Sequence, residues 1–170
     1  MDDINKIPST IPIFPLSNFI IFPNTTVPLN IFEPRYIQMI DDSMKSHRMI
    51  GMVQPKKSGK LLKPDLYGVG CIGKITSFNE TDDGRYLIII NGISRFSIDR
   101  EIETDKLYRT CLVNYQKYKE DLDNKIEKFT VKDLDKIFKD LKNLFEKKGF
   151  MVDWSSLKKQ DFSETLNTLS

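Results

Sequence analysis

The sequence predicts an α+β fold that is mainly β: a barrel or sandwich of short strands with an early short helix, followed by a C-terminal helical segment. Three observations carry this. Apolar and polar residues alternate in short runs through the first two thirds of the chain, with turn signals between the runs. One hairpin is spelled out by Asp83-Gly84 between two apolar stretches. After Tyr118 the composition turns charged and the apolar spacing becomes helical. The expected division is therefore a β subdomain over 1–118 and a helical subdomain over 119–170.

Each element has its own justification. "IPIF" and "VPLNI" read as short strands, the second with Val27, Leu29 and Ile31 on one face, and the turn-rich "FPNTTVP" lies between them. "FEPRYIQMIDDSMKSH" reads as a helix. Pro34 suits its first turn, Glu33 suits the positive end of its dipole, and Ile37, Ile40 and Met44 fall at helical spacing. "RMIGMV" is another strand, and a polar loop covers 54–65. A long hairpin follows: one arm over 67–79, the turn at Asp83-Gly84, and the return "RYLIIING". "ISRFSIDREIE" and "YRTCLVNYQKY" are expected to add two further strands. "KEDLDNKIEKF" is a charged connector. The strongest helix is expected over 131–148, with Thr130 as N-cap, an apolar stripe from Leu134 to Phe145 and Gly149 as terminator. A second helix, capped by Ser163, has barely begun where the sequence stops, so the chain reads as a piece that continues.

The 170 residues carry a net charge of +2, are 39% hydrophobic and include no alanine. This composition is that of a globular domain, and so small a charge implies no strong field for nucleic acid or membrane. The start "MDDINK" lacks the basic opening of a signal peptide, and Pro12, Pro15 and Pro23 break the one long apolar run. The expected setting is cytoplasmic.

"GVGCIGKIT" fits two nucleotide motifs. Gly68, Gly70 and Gly73 spell G-x-G-x-x-G, and Gly68, Gly73 and Lys74 most of a P-loop. Both motifs need a strand before the glycines and a helix after them. Here a polar loop precedes, a strand follows, and Ile75 stands where the P-loop hydroxyl belongs. The bland reading is a strand with Tyr67, Val69, Cys71, Gly73, Ile75 and Ser77 on one face, its glycines marking a bulge, a bend or a close neighbour.

Catalytic signals are weak. His47 is the only histidine and sits at a polar helix end; no metal-binding spacing and no G-x-S-x-G elbow occur. Cys71 and Cys111 read as buried thiols, with a disulfide or redox pair as the alternative. Arg95 and the Glu33–Arg35 pair read as framework ion pairs rather than ligand contacts. No cofactor and no metal are expected.

The ordered series "IPIFPLSNFIIFPNTTVPLNIFEPRYIQMI", "LYGVGCIGKI", "DDGRYLIIINGISRFSI" and "VKDLDKIF…GFMVDW…SETLNTLS" resembles the Lon N-terminal, or Lon substrate-binding, domain family from about residue 11 to the end. The "FEPRY" form looks most like the small stand-alone members. The resemblance implies a PUA-like β-barrel followed by helices and a role in recognising unfolded or tagged protein segments. It supplies no catalytic residues. The reading is thus a non-enzymatic bacterial protein-binding domain whose partners are protein or peptide segments, with a protease or chaperone as companion and neither membrane nor nucleic acid as ligand. The alternatives are an RNA-binding PUA-like module and a small-molecule enzyme. Phe32, Arg35 and Tyr36 are the candidate peptide contacts, with core packing as the competing account of the aromatics.

Overall fold

The computed structural model describes residues 7–17, 19–56 and 63–122, and two isolated helical positions, 139 and 147. The chain divides into two compact units, Met1–Asn124 with Ser170, and Lys125–Leu169. Nearly all described residues belong to the first. The helix expected over 131–148, "GFMVDW" and the helix expected from Ser163 lie outside the described residues, apart from those two positions.

Among its described residues the first unit is mainly β with one α-helix. Its elements are β1 (Thr10–Pro15), β2 (Thr26–Ile31), α1 (Pro34–Met44), β3 (Met49–Pro55), β4 (Leu66–Glu80), β5 (Tyr86–Ile102), β6 (Arg109–Asn114) and a 3-10 helix (Gln116–Asp121). The strand order is β2-β5-β4-β3-β1-β6, and β6 also pairs with β5. β1 and β3 are parallel; the other pairs are antiparallel. The long hairpin turns at Gly84, whose φ of +77° lies in the region that glycine enters without steric cost.

Burial on both faces of the sheet gives two apolar clusters. One holds Phe14, Ile21, Val27, Ile31, Met52, Cys71, Ile75, Ile88 and Ile90 with the buried stripe of α1. The other holds Ile11, Ile13, Val53, Ile72, Phe96, Cys111, Val113 and Tyr115. Adjacent residues Cys71 and Ile72 therefore enter different clusters, as strand alternation requires. Both cysteines are buried and unpaired.

The structure differs from the sequence reading at four places. First, 86–102 is one strand, not two. Ile72 pairs with Ser94 and Gly73 with Gly92, so Ile93 is an extra residue in a bulge, and pairing continues through it. Second, the last strand stops at Asn114 rather than running to Tyr118. The Asn114 Oδ1 accepts a hydrogen bond from the Gln116 N–H at 2.8 Å, an Asx turn that diverts the chain into the 3-10 helix. Third, the buried stripe of α1 is Tyr36, Met39, Ile40 and Ser43; Ile37 and Met44 only flank it. Glu33 is the N-cap, but its carboxylate bonds Arg35 rather than the helix backbone. Fourth, Tyr67 and Val69 are exposed although they share a face with buried Cys71 and Ile75.

The glycines of β4 are explained by space. A Cβ on Gly70 would stand 2.6 Å from the Met52 carbonyl oxygen and 2.7 Å from Phe96, so no side chain fits. Gly73 lies at a register shift and packs against Ile90. Gly68 has open space around it and lies in the register shift between the Val53–Gly70 and Pro55–Leu66 pairs, so it marks a bulge rather than a close neighbour.

Candidate functional site

The connection between β1 and β2 folds back over the sheet. The Thr25 hydroxyl donates to the Phe22 carbonyl at 2.7 Å and accepts from the Phe22 N–H at 3.2 Å, closing a compact loop. Asn24 takes a φ of +62°, a conformation its short polar side chain tolerates. Two backbone bonds then pin the loop to β5: Asn24 N–H to the Gly92 carbonyl at 2.9 Å, and Gly92 N–H to the Thr25 carbonyl at 2.8 Å. A Cβ on Gly92 would collide with the Phe22 carbonyl, so only glycine lets the loop lie this close.

The result is an apolar cleft of about 340 Å³. Phe19, Ile20, Ile21 and Phe22 form one side. The floor comes from three neighbouring strands: Met52 and Gln54 on β3, Tyr67, Val69 and Cys71 on β4, and Arg95 on β5. Met52 is paired with Cys71, and Cys71 with Arg95, so these three side chains leave the same face in one row. Ile20, Tyr67 and Val69 remain 40%, 51% and 46% exposed. Such a clustering of open apolar side chains usually marks a partner site.

A charged clasp stands at the Arg95 end of the row. The Asp121 carboxylate accepts from the Arg95 backbone N–H at 2.8 Å, from Nε at 2.9 Å and from one terminal nitrogen at 2.6 Å. The Tyr118 ring lies 4.8 Å from the guanidinium carbon. The carboxylate is 9% exposed and the arginine side chain 49%, so the negative end of the pair points inward and the positive end outward. The framework ion pair expected of Arg95 is the one it makes with Asp121. Burial, and next the nearby Asp121 charge, push the Cys71 thiol up to about 12. It stays protonated at neutral pH and acts as an apolar floor residue, not a nucleophile.

The three sequence candidates adjoin one another but differ in role. Phe32 is 65% exposed. Arg35 pairs with Glu33 at 2.8 Å and lies 4.6 Å over the Tyr36 ring. Tyr36 is buried, and its ring centroid lies 4.4 Å from that of Phe14. None of the three lines the cleft.

Two polar groupings lie elsewhere. Lys106 Nζ donates to Asp42 at 2.9 Å and to the Tyr108 hydroxyl at 2.8 Å, and that hydroxyl donates to the same Asp42 oxygen at 2.8 Å. Those hydrogen bonds, first from Lys106 and then from Tyr108, hold the Asp42 carboxyl below the ordinary range. Glu101 is likewise lowered, first by its bond from Arg109 and then by Lys63. Asp42 is thus paired with Lys106, and Glu101 with both Arg109 and Lys63. Among the described residues no group of histidine, cysteine and carboxylate side chains could hold a metal ion, and no helix is long and apolar enough to cross a membrane.

The fold and the cleft together define a mainly β domain with an open apolar groove beside a fixed charge. The chain belongs to the family described as the ATP-dependent protease La (LON) substrate-binding domain, whose model matches residues 10–169. It is 34% identical over 106 residues to a Lon protease of Parabacteroides distasonis, covering 61% of this chain but only 13% of that protein. Among solved structures, the N-terminal domain of a Mycobacterium avium complex Lon protease aligns with a TM-score of 0.56 at 16% identity, covering 94% of this chain and 80% of that one. A Lon N-terminal domain protein from Xanthomonas campestris aligns with a TM-score of 0.51 at 23% identity, covering 64% and 60%. These structural likenesses speak for the fold.

The roof loop and the exposed part of β4 escaped sequence reasoning as a site. The available signal was the run Phe19 to Phe22, four apolar residues with no strand alternation, ahead of a proline.

Proposed function

We propose that this domain binds extended, apolar segments of unfolded protein in the cleft between the 19–22 loop and the β3–β4 floor. The carrying observation is the open apolar lining of that cleft, in which Ile20, Tyr67 and Val69 stay exposed. Membership in a family described as substrate-binding supports the same reading. The ring of pairings through β5, β4, β3, β1, β6 and back to β5 is read as a PUA-like barrel, with a helical subdomain after it. The role is binding without catalysis, in the cytoplasm and beside a protease or chaperone. Phe32, as the exposed member of its trio, with Arg35 stacked on Tyr36, is proposed as a second contact edge.

A single cleft of this kind supports affinities of about −4 to −8 kcal/mol, millimolar to micromolar. The test is fluorescence anisotropy of a labelled, uncharged apolar peptide with the 170-residue chain, with the Val69→Asp variant and with the Phe32→Ser variant. Val69→Asp should weaken binding at least about tenfold with little loss of stability, because the position is half exposed. Unchanged binding by Val69→Asp would remove the cleft from the site. Saturable, salt-dependent binding of single-stranded RNA in place of peptide would overturn the assignment as a whole.

A further inference from the structure

We propose that Arg95 makes the cleft selective for extended segments carrying a carboxylate side chain two residues from an apolar anchor. This rests on the peptide-binding reading above and adds the chemistry of the segment.

A guanidinium has five N–H donors. Arg95 spends two of its own on Asp121, through Nε and one terminal nitrogen. The remaining three, on the far edge, meet no acceptor among the described residues. The group is also held still. Asp121 takes one edge, Tyr118 covers one face, and the Arg95 backbone N–H bonds the same carboxylate. A fixed donor edge binds a carboxylate with little further loss of freedom.

Charge points the same way. The Arg95–Asp121 pair is neutral in sum, but its negative end is nearly buried and its positive end half exposed. No carboxylate lines the cleft among the described residues, and its other polar lining groups, the Gln54 amide and the Tyr67 hydroxyl, are uncharged. The cleft is therefore apolar along Tyr67 and Val69 and positive at Arg95.

Spacing follows from the strand. Val69 and Cys71 are two residues apart on one face, and Arg95 lies opposite Cys71. An extended segment along β4 presents alternate side chains downward at about 7 Å intervals. An apolar side chain seated over Val69 places the side chain two residues away at Arg95.

The test uses three dye-labelled peptides with blocked ends and a neutral dye. The first is Glu-Ser-Phe-Ser-Leu-Ser-Glu, symmetric so that chain direction does not matter. The second has Gln for both Glu residues. The third, Ser-Glu-Phe-Ser-Leu-Glu-Ser, has the same composition with the acids on the opposite face. The first should bind about three- to tenfold more tightly than either of the others. Arg95→Gln should erase the preference, and raising salt from 50 to 500 mM should shrink it in the unaltered protein, which keeps the test decisive if the variant fails to fold. Equal binding of all three, or a preference indifferent to salt, overturns the proposal and leaves the peptide-binding reading standing. Equal gain from a free C-terminal acid on the Gln peptide overturns the side-chain assignment. Binding of none sinks both.

Discussion

The Arg95–Asp121 clasp gives an asymmetric mutational prediction. Arg95→Ala leaves the carboxylate of Asp121, 9% exposed, with the Arg95 backbone N–H as its remaining donor. Two charge-assisted bonds go, and a nearly buried charge is stranded. Removing one partner of a fully buried pair costs about 3–5 kcal/mol, and of a surface pair about 0–1 kcal/mol. With the arginine half in water, the expected loss lies between, at about 2–3 kcal/mol. Asp121→Ala is milder: the guanidinium turns to solvent, one backbone N–H loses its acceptor, and the cost is about 1 kcal/mol. The double variant should cost less than the sum of the singles by at least about 0.5 kcal/mol, because the stranded charge is gone. Urea unfolding at pH 7, followed by far-ultraviolet circular dichroism, measures all four species. Equal losses for the two single variants, or additive losses in the double, would refute the inside-outside polarity assigned to the pair.

Three further outcomes follow from the packing and the charges. Gly70→Ala should destabilise by about 1–3 kcal/mol, since its Cβ meets the Met52 carbonyl and Phe96, whereas Gly68→Ala should stay within about 0.5 kcal/mol; thermal melts separate them. Asp42 and Glu101 have folded-state pKa values below their ordinary ones, so their contribution is complete above the unfolded-state range and is lost as pH falls through the lowered values. Stability should therefore hold from pH 7 to about 5 and decline below about 4.5, and Glu101→Gln should flatten part of that decline in acid-unfolding curves. Calorimetry with millimolar ATP or NAD should give no saturable heat. A signal abolished by a change at Gly73 or Lys74 would restore the nucleotide reading of β4.

What could be read from the sequence was local chemistry. Asp83-Gly84 specifies its turn through glycine's access to positive φ, and Pro34 starts α1 because its missing N–H is not needed there. Val27 and Ile31 alternate toward a core whichever strand pairs with them. What could not be read depends on distant partners. The continuity of β5 rests on a bulge at Ile93 that exists only relative to β4. The burial of Tyr36 and the exposure of Phe32, four residues apart, are decided by where Phe14 and the sheet stand. Gln116 leaves the strand for a reason that is local, the Asn114 side chain, but Asn30, Asn79 and Asn91 lie inside strands of this same chain, so the residue type alone announces no turn. The cleft itself joins the 19–22 loop to Arg95, and no spacing rule reaches that far.

The contact between Phe22 and Gly92 also fixes when the cleft can come into being. Its two halves lie some seventy positions apart in the chain, and the loop has no sheet to rest on until β2 has found β5. Closing so long a span is an entropic cost met only as the whole unit forms. A nascent chain that has emerged only as far as β4 therefore carries every roof residue yet no groove. The groove arrives in one step with the native state and disappears with it. A copy that is itself partly unfolded has no groove.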